Sequence, residues 1–564
     1  MKRKFPISPT SLALRGAGNF QFPISILILL LAFFLRFYHL DRVPPSPSLD
    51  EVSLGWNAYS ILKTGRDEYG TKFPILLRAY DDWRPALYVY LIIPFIKVFG
   101  LSVLSVRLPS VLLSLVTVLT VYFLTKELFR NSSFSILYSL FSILLLSLSP
   151  WHVYISRLGH EVNAGLTFSV LAIFFFLKAI NGKRPEFLFL SSFFFALSLY
   201  TYQSQKIFGP GMLLALLVIF RKNLLLRKKE VVFAVILGLI LLFPLIKVSL
   251  TPQALIRFQG TNIFSNQPEL EKRSFLRLQR DYQAGNFLGL VFDRPIVAKT
   301  LEVFRAYFSH FNPAWLFFNQ GGEKHKVPGL GLFYLWELPF ILIGIFKLVT
   351  GGFPRKTKYL LLSWVLIAPL PASITTEFPH AMRIFNLLPV PQIISSLGIV
   401  TTLLYLKQKP LPSVLCYLFF AICSLFFVLC SLFFFHNYFF NFPLEQSTSF
   451  QYPLRLAINY VLENESKYQK IVFSNKDHCF QSYMFFLFFK KYDPKIYQAE
   501  GGTKSGGFAE THFFGKYEFR PISWSREKKG LYVGNKEEFP KEVVPLKTFE
   551  TLDGKEVVWV VEKV

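Results

Sequence analysis

Charge is scarce in this chain. Asp, Glu, Lys and Arg make up 17% of its 564 residues, against roughly 25% in an average soluble domain. Acid is scarcer than base, 35 Asp and Glu against 61 Lys and Arg, for a formal net charge of +26. Cysteine is limited to four residues. Cys416, Cys423 and Cys430 recur every seven positions on one apolar segment, as small packing residues do, and Cys479 stands alone in the tail. A disulfide scaffold is thereby excluded, and no cysteine–histidine spacing suggests zinc. No internal repeat is visible, which argues against a transporter built from inverted halves. No series of acids runs through the middle of the apolar segments, as a proton-coupled pump would need.

What is abundant is apolar. Hydrophobic residues make up 52% and phenylalanine alone supplies 65 positions. Length alone would suggest three or four domains of ~150 residues, but the apolar blocks are too long for soluble cores. A bilayer crossing needs ~20 mostly apolar residues. Eleven segments qualify: 22–40, 107–128, 133–149, 164–180, 187–203, 207–220, 231–249, 331–349, 359–373, 383–405 and 413–435. Residues 86–99, interrupted by Pro94 and Lys97, read as a juxtamembrane helix. With eleven spans, segments 1–21, 125–132, 181–186, 221–230, 350–358 and 406–412 share one side and carry 18 Lys and Arg against 3 acids. The short opposite loops 150–163, 204–206 and 374–383 carry only Arg157, Lys206 and Arg383. The positive-inside rule makes the N-terminus cytoplasmic and the C-terminus extracytoplasmic. Most of the +26 is therefore a topology signal aimed at membrane lipid, and nucleic acid is not implied.

The expected organisation is a cytoplasmic N-terminus (1–21), a multi-pass region (22–435) with outer loops 41–106 and 250–330, and an extracytoplasmic domain (436–564). Within the tail, 451–465 and 479–491 read as helices, and KIVFS, GLYVG and VVWVVEKV as strands, giving a small α/β domain. The few charges inside the spans, Arg36, Arg107, Lys178, Lys247, Glu337 and Lys347, lie toward span ends, within reach of the headgroups.

The polar chemistry gathers on the outer side. Asp50 and Glu51 follow PPSPS and open a helix whose apolar side is Val52, Leu54, Trp56, Tyr59 and Ile61. An ionised carboxylate is favoured at a helix start and suits a general base, although Asp50 could equally cap the helix. Asp67 and Glu68 read as a solvated turn. Asp81, Asp82 and Arg84 precede the juxtamembrane helix, with Asp82 as a possible cap and Arg84 as a headgroup anchor or phosphate ligand. Arg157, His160 and Glu161 cluster in SPWHVYISRLGHE, either as an interfacial group beside Trp151 and Tyr154 or as phosphate donors with a carboxylate. Gln203, Gln205 and Lys206 fall in SLYTYQSQKIFGP. Glu377, His380 and Arg383 fall in SITTEFPHAMRIFNLLPVP. Four outer turns that each offer a cation describe a site for a phosphate at the lipid surface.

In order and spacing, SLDEVSLGWNAYSILKTGRDEYG, RPALYVYLIIPFIKVFGLSVLSVRLPSVLL, SPWHVYISRLGHE, SLYTYQSQKIFGP and PHAMRIFNLLP resemble the C superfamily of glycosyltransferases (GT-C). Within it the likeness is to protein O-mannosyltransferases and lipid A aminoarabinose transferases, over residues 22–405. The resemblance implies a polytopic α-helical membrane enzyme that moves a sugar from a polyprenyl-phosphate carrier to a protein, lipid or glycan acceptor on the outer face of the cell membrane. It implies Asp50 as general base, with Glu51 supporting it or holding the acceptor, and Arg84 as a carrier-phosphate contact, with Asp82 beside it as a further substrate-binding candidate. Arg157, His160, Lys206, His380 and Arg383 are then further phosphate or pyranose contacts, with Glu161 on a sugar hydroxyl. Oligosaccharyltransferase-type relatives hold a divalent metal on loop carboxylates. The second outer loop lacks the Asp-x-Asp element, which leaves Asp50 with Glu161 as the pair able to hold one. A ligase or polymerase of lipid-linked glycans, a transporter, and a binding protein working through its tail are the competing classes.

Overall fold

The structure is a computed structural model describing residues 11–564 except 81, 183, 266, 319–324, 409–412, 505, 506, 508 and 509. Lys2, Arg3, Lys4, Asp81 and the side chain of Cys416 lie outside the described residues.

Helix α1 (Ser11–Phe37) leads through a turn to α2 (Leu49–Thr64), then a ribbon, β1 (Leu76–Ala79) with β2 (Asp82–Pro85), and α3 (Leu87–Phe99). There follow α4 (Val103–Leu128), α5 (Ser135–Leu148), α6 (Pro150–Ser156), α7 (Glu161–Asn181), α8 (Phe187–Leu199), α9 (Gln205–Ile219), the short α10 (Arg221–Leu225) and α11 (Lys228–Ser249). The long connection holds α12 (Pro252–Thr261), α13 (Pro268–Gln283), α14 (Phe287–Phe292), α15 (Pro295–Ser309) and α16 (Pro313–Phe317). Helices α17 (Glu337–Thr350), α18 (Arg355–Ile367), α19 (Leu370–Ser373), α20 (Val390–Gln408) and α21 (Ser413–His436) complete the bundle. A helix thus occupies each of the eleven apolar segments. Among the described residues five, α4, α7, α11, α20 with the turn before it, and α21 with the turn after it, are by themselves long and apolar enough to cross a bilayer.

One span departs from expectation. At Ser149–Pro150 the chain bends by 60° from α5 into α6, where proline forbids a continuing backbone hydrogen bond. The loop expected at 150–163 therefore begins as a helix driven back into the protein. Trp151 and Tyr154, expected at the headgroups, are buried. Arg36, Arg107 and Glu337 are buried too, held by protein groups rather than by reaching for water.

After α21 a π-helical turn, Asn437–Asn441, and α22 (Phe442–Gln446) lead to the tail. Its elements are α23 (Tyr452–Asn464), β3 (Ile471–Phe473), α24 (Ser482–Lys490), α25 (Pro494–Ala499), β4 (His512–Phe514), β5 (Tyr517–Phe519), β6 (Gly530–Asn535), β7 (Lys547–Glu550) and β8 (Glu556–Lys563). The sheet order is β4-β5-β3-β6-β8-β7; β3 runs parallel to both its neighbours and the other pairs are antiparallel. Sequence patterning locates α23, β3, α24, β6 and β8, and misses β4, β5 and β7, which are short or lie at the sheet edge.

The tail domain does not stand apart. Phe485, Phe488 and Tyr497 share one apolar cluster with Val52, Trp56 and Val89 from α2 and α3. Helix α2 is consequently buried almost all round from Glu51 to Ala58, not along a single stripe. The turn at 67–68, expected in solvent, is buried as well. Glu68 Oε1 accepts from Asn57 Nδ2 at 2.9 Å, and its Oε2 accepts from Thr503 Oγ1 at 2.9 Å and Tyr483 at 3.2 Å. Burial outweighs these bonds and pushes the Glu68 carboxyl up to about 7 from 4.5.

A carboxyl raised on folding stabilises fully below its unfolded pKa, and that stability is lost as pH rises through the folded value. Thermal unfolding of the wild type is therefore expected to fall on going from about pH 5.5 to 8.5 relative to Glu68→Gln, which is neutral throughout. His512, stacked on Tyr483 and pushed down by burial to about 4, titrates in both proteins, so the difference isolates Glu68. A parallel pH dependence in the two would show that Glu68 is ionised in the fold.

Candidate active site

The site is built around the start of α2. Ser48 and Glu51 form a reciprocal capping box: the Ser48 hydroxyl accepts from the Glu51 N–H at 3.3 Å, and the Ser48 N–H donates to Glu51 Oε2 at 2.7 Å. Ser48, not Asp50, is thus the cap. Glu51 also accepts from Arg107 Nε at 2.7 Å and from the Gly159 N–H at 2.9 Å. Burial alone would raise its carboxyl, but Arg107 and these N–H groups prevail and hold it below the usual range. Glu51 thereby ties α2, α4 and the 157–160 turn together.

With its neighbour committed to this clamp, Asp50 faces outward with its side chain 49% exposed. It accepts from Arg84 Nη1 at 2.9 Å. Arg84 is carried by β2, where it pairs with Leu77, and is buried. The same Nη1 lies 3.9 Å from Glu161 Oε1, and Nη2 donates to Ser53 at 3.4 Å. Burial alone would lower the Arg84 guanidinium, but Asp50, Glu161 and Asp82 outweigh it and raise it. It remains a cation. Its Nε and Glu161 Oε2, both buried, have no hydrogen-bond partner among the described residues. Asp82 opens β2 and accepts from the Trp83 N–H at 2.7 Å. It does not cap α3, whose start has no side-chain cap.

His160 caps α7, its Nδ1 accepting from the Val162 N–H at 3.2 Å and lying 3.6 Å from Glu161 Oε2. Its ring meets Tyr202 edge-on at 5.5 Å. Tyr202 in turn lines a cavity of ≈ 290 Å³ together with Gln203, Lys206 and Arg383. Gln203 Nε2 donates to the Trp83 carbonyl at 2.8 Å, tying this cavity wall to the strand that carries Arg84. Gln205 points the other way, bonding Asn386 and Ser169 in the core. Arg383 Nη2 meets Glu377 at 3.0 Å and its Nη1 donates to Thr375 at 2.7 Å. His380 stacks on His325 at 4.9 Å, and its N–H donates to His310 Nε2 at 3.2 Å. His310, pushed down to about 4 by burial, is neutral, and its Nδ1 bonds the Ala306 carbonyl.

Arg157 is a correction. Its Nε donates to Tyr438, Nη1 to the Leu35 and Arg36 carbonyls, and Nη2 to those of His39 and Val43. All five guanidinium N–H groups are spent, so none is left for a phosphate. Arg157 fastens the end of α1 and the 39–43 turn, lying over Phe439 at 4.9 Å. Arg107 does the same beside it, bonding the carbonyls of Leu40, Pro44 and Ser46. Arg107, Tyr202, His310 and His325 escape sequence reasoning. For Arg107 the one available signal is an arginine in the first turn of a span.

The pair expected to hold a divalent ion does not fit one. The Arg84 guanidinium already stands against both Asp50 and Glu161. Among the described residues no three His, Cys, Asp or Glu side chains gather in a metal-binding group.

Residues 83–247 match the family model described as dolichyl-phosphate-mannose-protein mannosyltransferase. No curated protein matches the sequence. Among solved structures, ArnT from Cupriavidus metallidurans bound to undecaprenyl phosphate is similar with a TM-score of 0.52 at 12% identity, covering 95% of this chain and 97% of that one. The archaeal oligosaccharyltransferase AglB from Archaeoglobus fulgidus, in complex with an inhibitory peptide and a dolichol-phosphate, gives 0.47 at 14% identity, covering 79% of this chain and 58% of AglB. This chain therefore spans little more than half of AglB's length. The likeness to ArnT is one of fold: a helical membrane bundle followed by a small sheet-containing domain.

Proposed function

We propose, from a GT-C fold and a mannosyltransferase-family match over residues 83–247, that this protein transfers a sugar from a polyprenyl-phosphate carrier to an acceptor on the outer face of the membrane. The N-terminus is then cytoplasmic and the tail domain extracytoplasmic. The observation that carries the reading is the half-exposed Asp50 held 2.9 Å from the buried Arg84, beside a cavity lined by Lys206 and Arg383.

In this mechanism Asp50 takes the proton of the acceptor hydroxyl as its oxygen bonds the anomeric carbon. The anomeric carbon–oxygen bond breaks, and its electron pair leaves on the carrier phosphate. A phosphate leaving group needs charge neutralisation more than an acid. Arg84, Lys206 and Arg383 supply it, with Arg84 Nε a buried donor without a partner among the described residues. Glu161, with His160 at its side, serves a sugar hydroxyl. His380 holds the Arg383 turn through Glu377 and the two neighbouring histidines. Glu51 keeps the start of α2 rigid under Asp50. The Arg84 cation leaves the reaction no need of a divalent ion between Asp50 and Glu161.

The test is purified protein in liposomes with polyprenyl-phosphate-linked sugars, with glycolipid and glycoprotein products read by mass spectrometry. Absence of any glycosylated product over a panel of such donors and of acceptors from all three classes would remove the assignment. Arg383→Ala is expected to weaken polyprenyl-phosphate binding about tenfold, the loss of one charge-assisted contact. Unchanged affinity would take Arg383 out of the phosphate group.

A further inference from the structure

The far end of the bundle carries a second basic cavity, of ≈ 500 Å³. Helix α4 joins the two ends: Arg107 in its first turns meets Glu51, and Glu127 and Leu128 at its last turn line this cavity. At 1.5 Å per residue, the 20 residues from Arg107 to Glu127 separate them by roughly 30 Å, about the hydrocarbon thickness of a membrane. The cavity therefore plays no part in chemistry at Asp50.

Its lining comes from stretches far apart in sequence that the fold brings together: the end of α4, the ends of α7 and α17, and the 352–357 turn. Arg130, Lys347 and Lys356 stand around it against the single carboxylate of Glu127. Glu127 is engaged already, accepting from Asn181 Nδ2 at 2.9 Å. Arg130 donates to the Asn181 carbonyl at 2.8 Å, and Lys356 bonds Asn223 and lies over Phe220 at 5.5 Å. Arg130 Nη1 also lies 3.8 Å from Glu127, so that pair offsets itself, and Lys347 and Lys356 carry the cavity's net positive charge. Below them Phe129, Tyr138 and Phe353 form an aromatic floor, Phe129 meeting the other two at 5.4 and 5.1 Å.

We infer that this cavity binds the headgroup of an anionic phospholipid. Cations over an aromatic floor match a phosphodiester that continues into glycerol and methylene groups. Basic pockets between membrane helices take such headgroups, and the volume lies within the ordinary range of ligand sites. On the orientation proposed above the lipid belongs to the inner leaflet, opposite the leaflet where the sugar is transferred. Its bridging of α4, α7, α17 and α18 would fasten that end of the bundle.

The experiment is native mass spectrometry of the full chain in neutral detergent, titrated with phosphatidylglycerol or phosphatidylcholine and then challenged with inorganic phosphate. It reads binding directly, whichever way the protein sits and whether or not it transfers sugar. Phosphatidylglycerol is expected to be retained at least tenfold over phosphatidylcholine and to survive the phosphate challenge. The Lys347→Gln/Lys356→Gln variant should lose about tenfold or more of that retention, since each basic residue near a lipid surface contributes about a factor of five. Lys356→Arg should keep it, which separates charge from folding. Equal retention of phosphatidylcholine, or undiminished retention in the double Gln variant, would overturn the proposal. Complete displacement by inorganic phosphate would reject a lipid and leave a free-anion site.

Discussion

Replacing Asp50 by Asn is expected to lower sugar transfer by about two to four orders of magnitude, the span associated with a positioned general base. Asn keeps an oxygen to accept from Arg84, so the local geometry survives while the proton acceptor is lost. Stability should change little, because Asp50 is half exposed and the buried Arg84 keeps both the amide oxygen of the substituted residue and the Glu161 carboxylate as partners. Expression, membrane insertion and thermal unfolding are the controls. Purified Asp50→Asn protein that transferred sugar at the wild-type rate would show that the base lies elsewhere.

The adjacent residue predicts the opposite pattern. Glu51→Ala strands the buried Arg107 guanidinium and leaves the N–H groups of Ser48 and Gly159 without their acceptor. Removing one partner of a buried ion pair costs about 3–5 kcal/mol. The expected result is a sharp drop in detergent-stable, monodisperse protein and in melting temperature, with transfer lost in consequence. Size-exclusion profiles of fluorescently tagged protein read this without an activity assay. If Glu51→Ala were as stable as the wild type, the clamp would not be holding the start of α2. Two neighbouring acids thus separate: one acts on the reaction, the other on the fold.

How much of this was legible in the sequence depends on the kind of residue. The eleven helices were, because a run of apolar residues has one low-energy state in a bilayer and the alternation of basic loops orders the spans. Helix α2 was found, but its apolar stripe was not the truth of it. The tail domain, over 400 residues away in the chain, covers the remaining faces, and no local pattern reports that. Trp151 and Tyr154 look like headgroup anchors in sequence and are core residues because Pro150 turns the chain inward. Asp67 and Glu68 look solvated and are sealed beneath Tyr483 and Thr503.

The arginines mark the boundary most clearly. By itself the sequence determined a multi-pass membrane protein and pointed, through its charges, to an expected sidedness and a polar face gathered around Asp50 and Arg84. It could not sort Arg84 from Arg107 and Arg157, since each is an arginine near the end of an apolar segment. Only the tertiary structure decided, by what surrounds each guanidinium. Arg107 and Arg157 meet backbone carbonyls and buried partners that use every donor. Arg84 meets the carboxylates of Asp50 and Glu161, and its buried Nε has no partner among the described residues. A side chain's role follows from which of its hydrogen bonds the fold has already filled, and that is a property of contacts between distant parts of the chain.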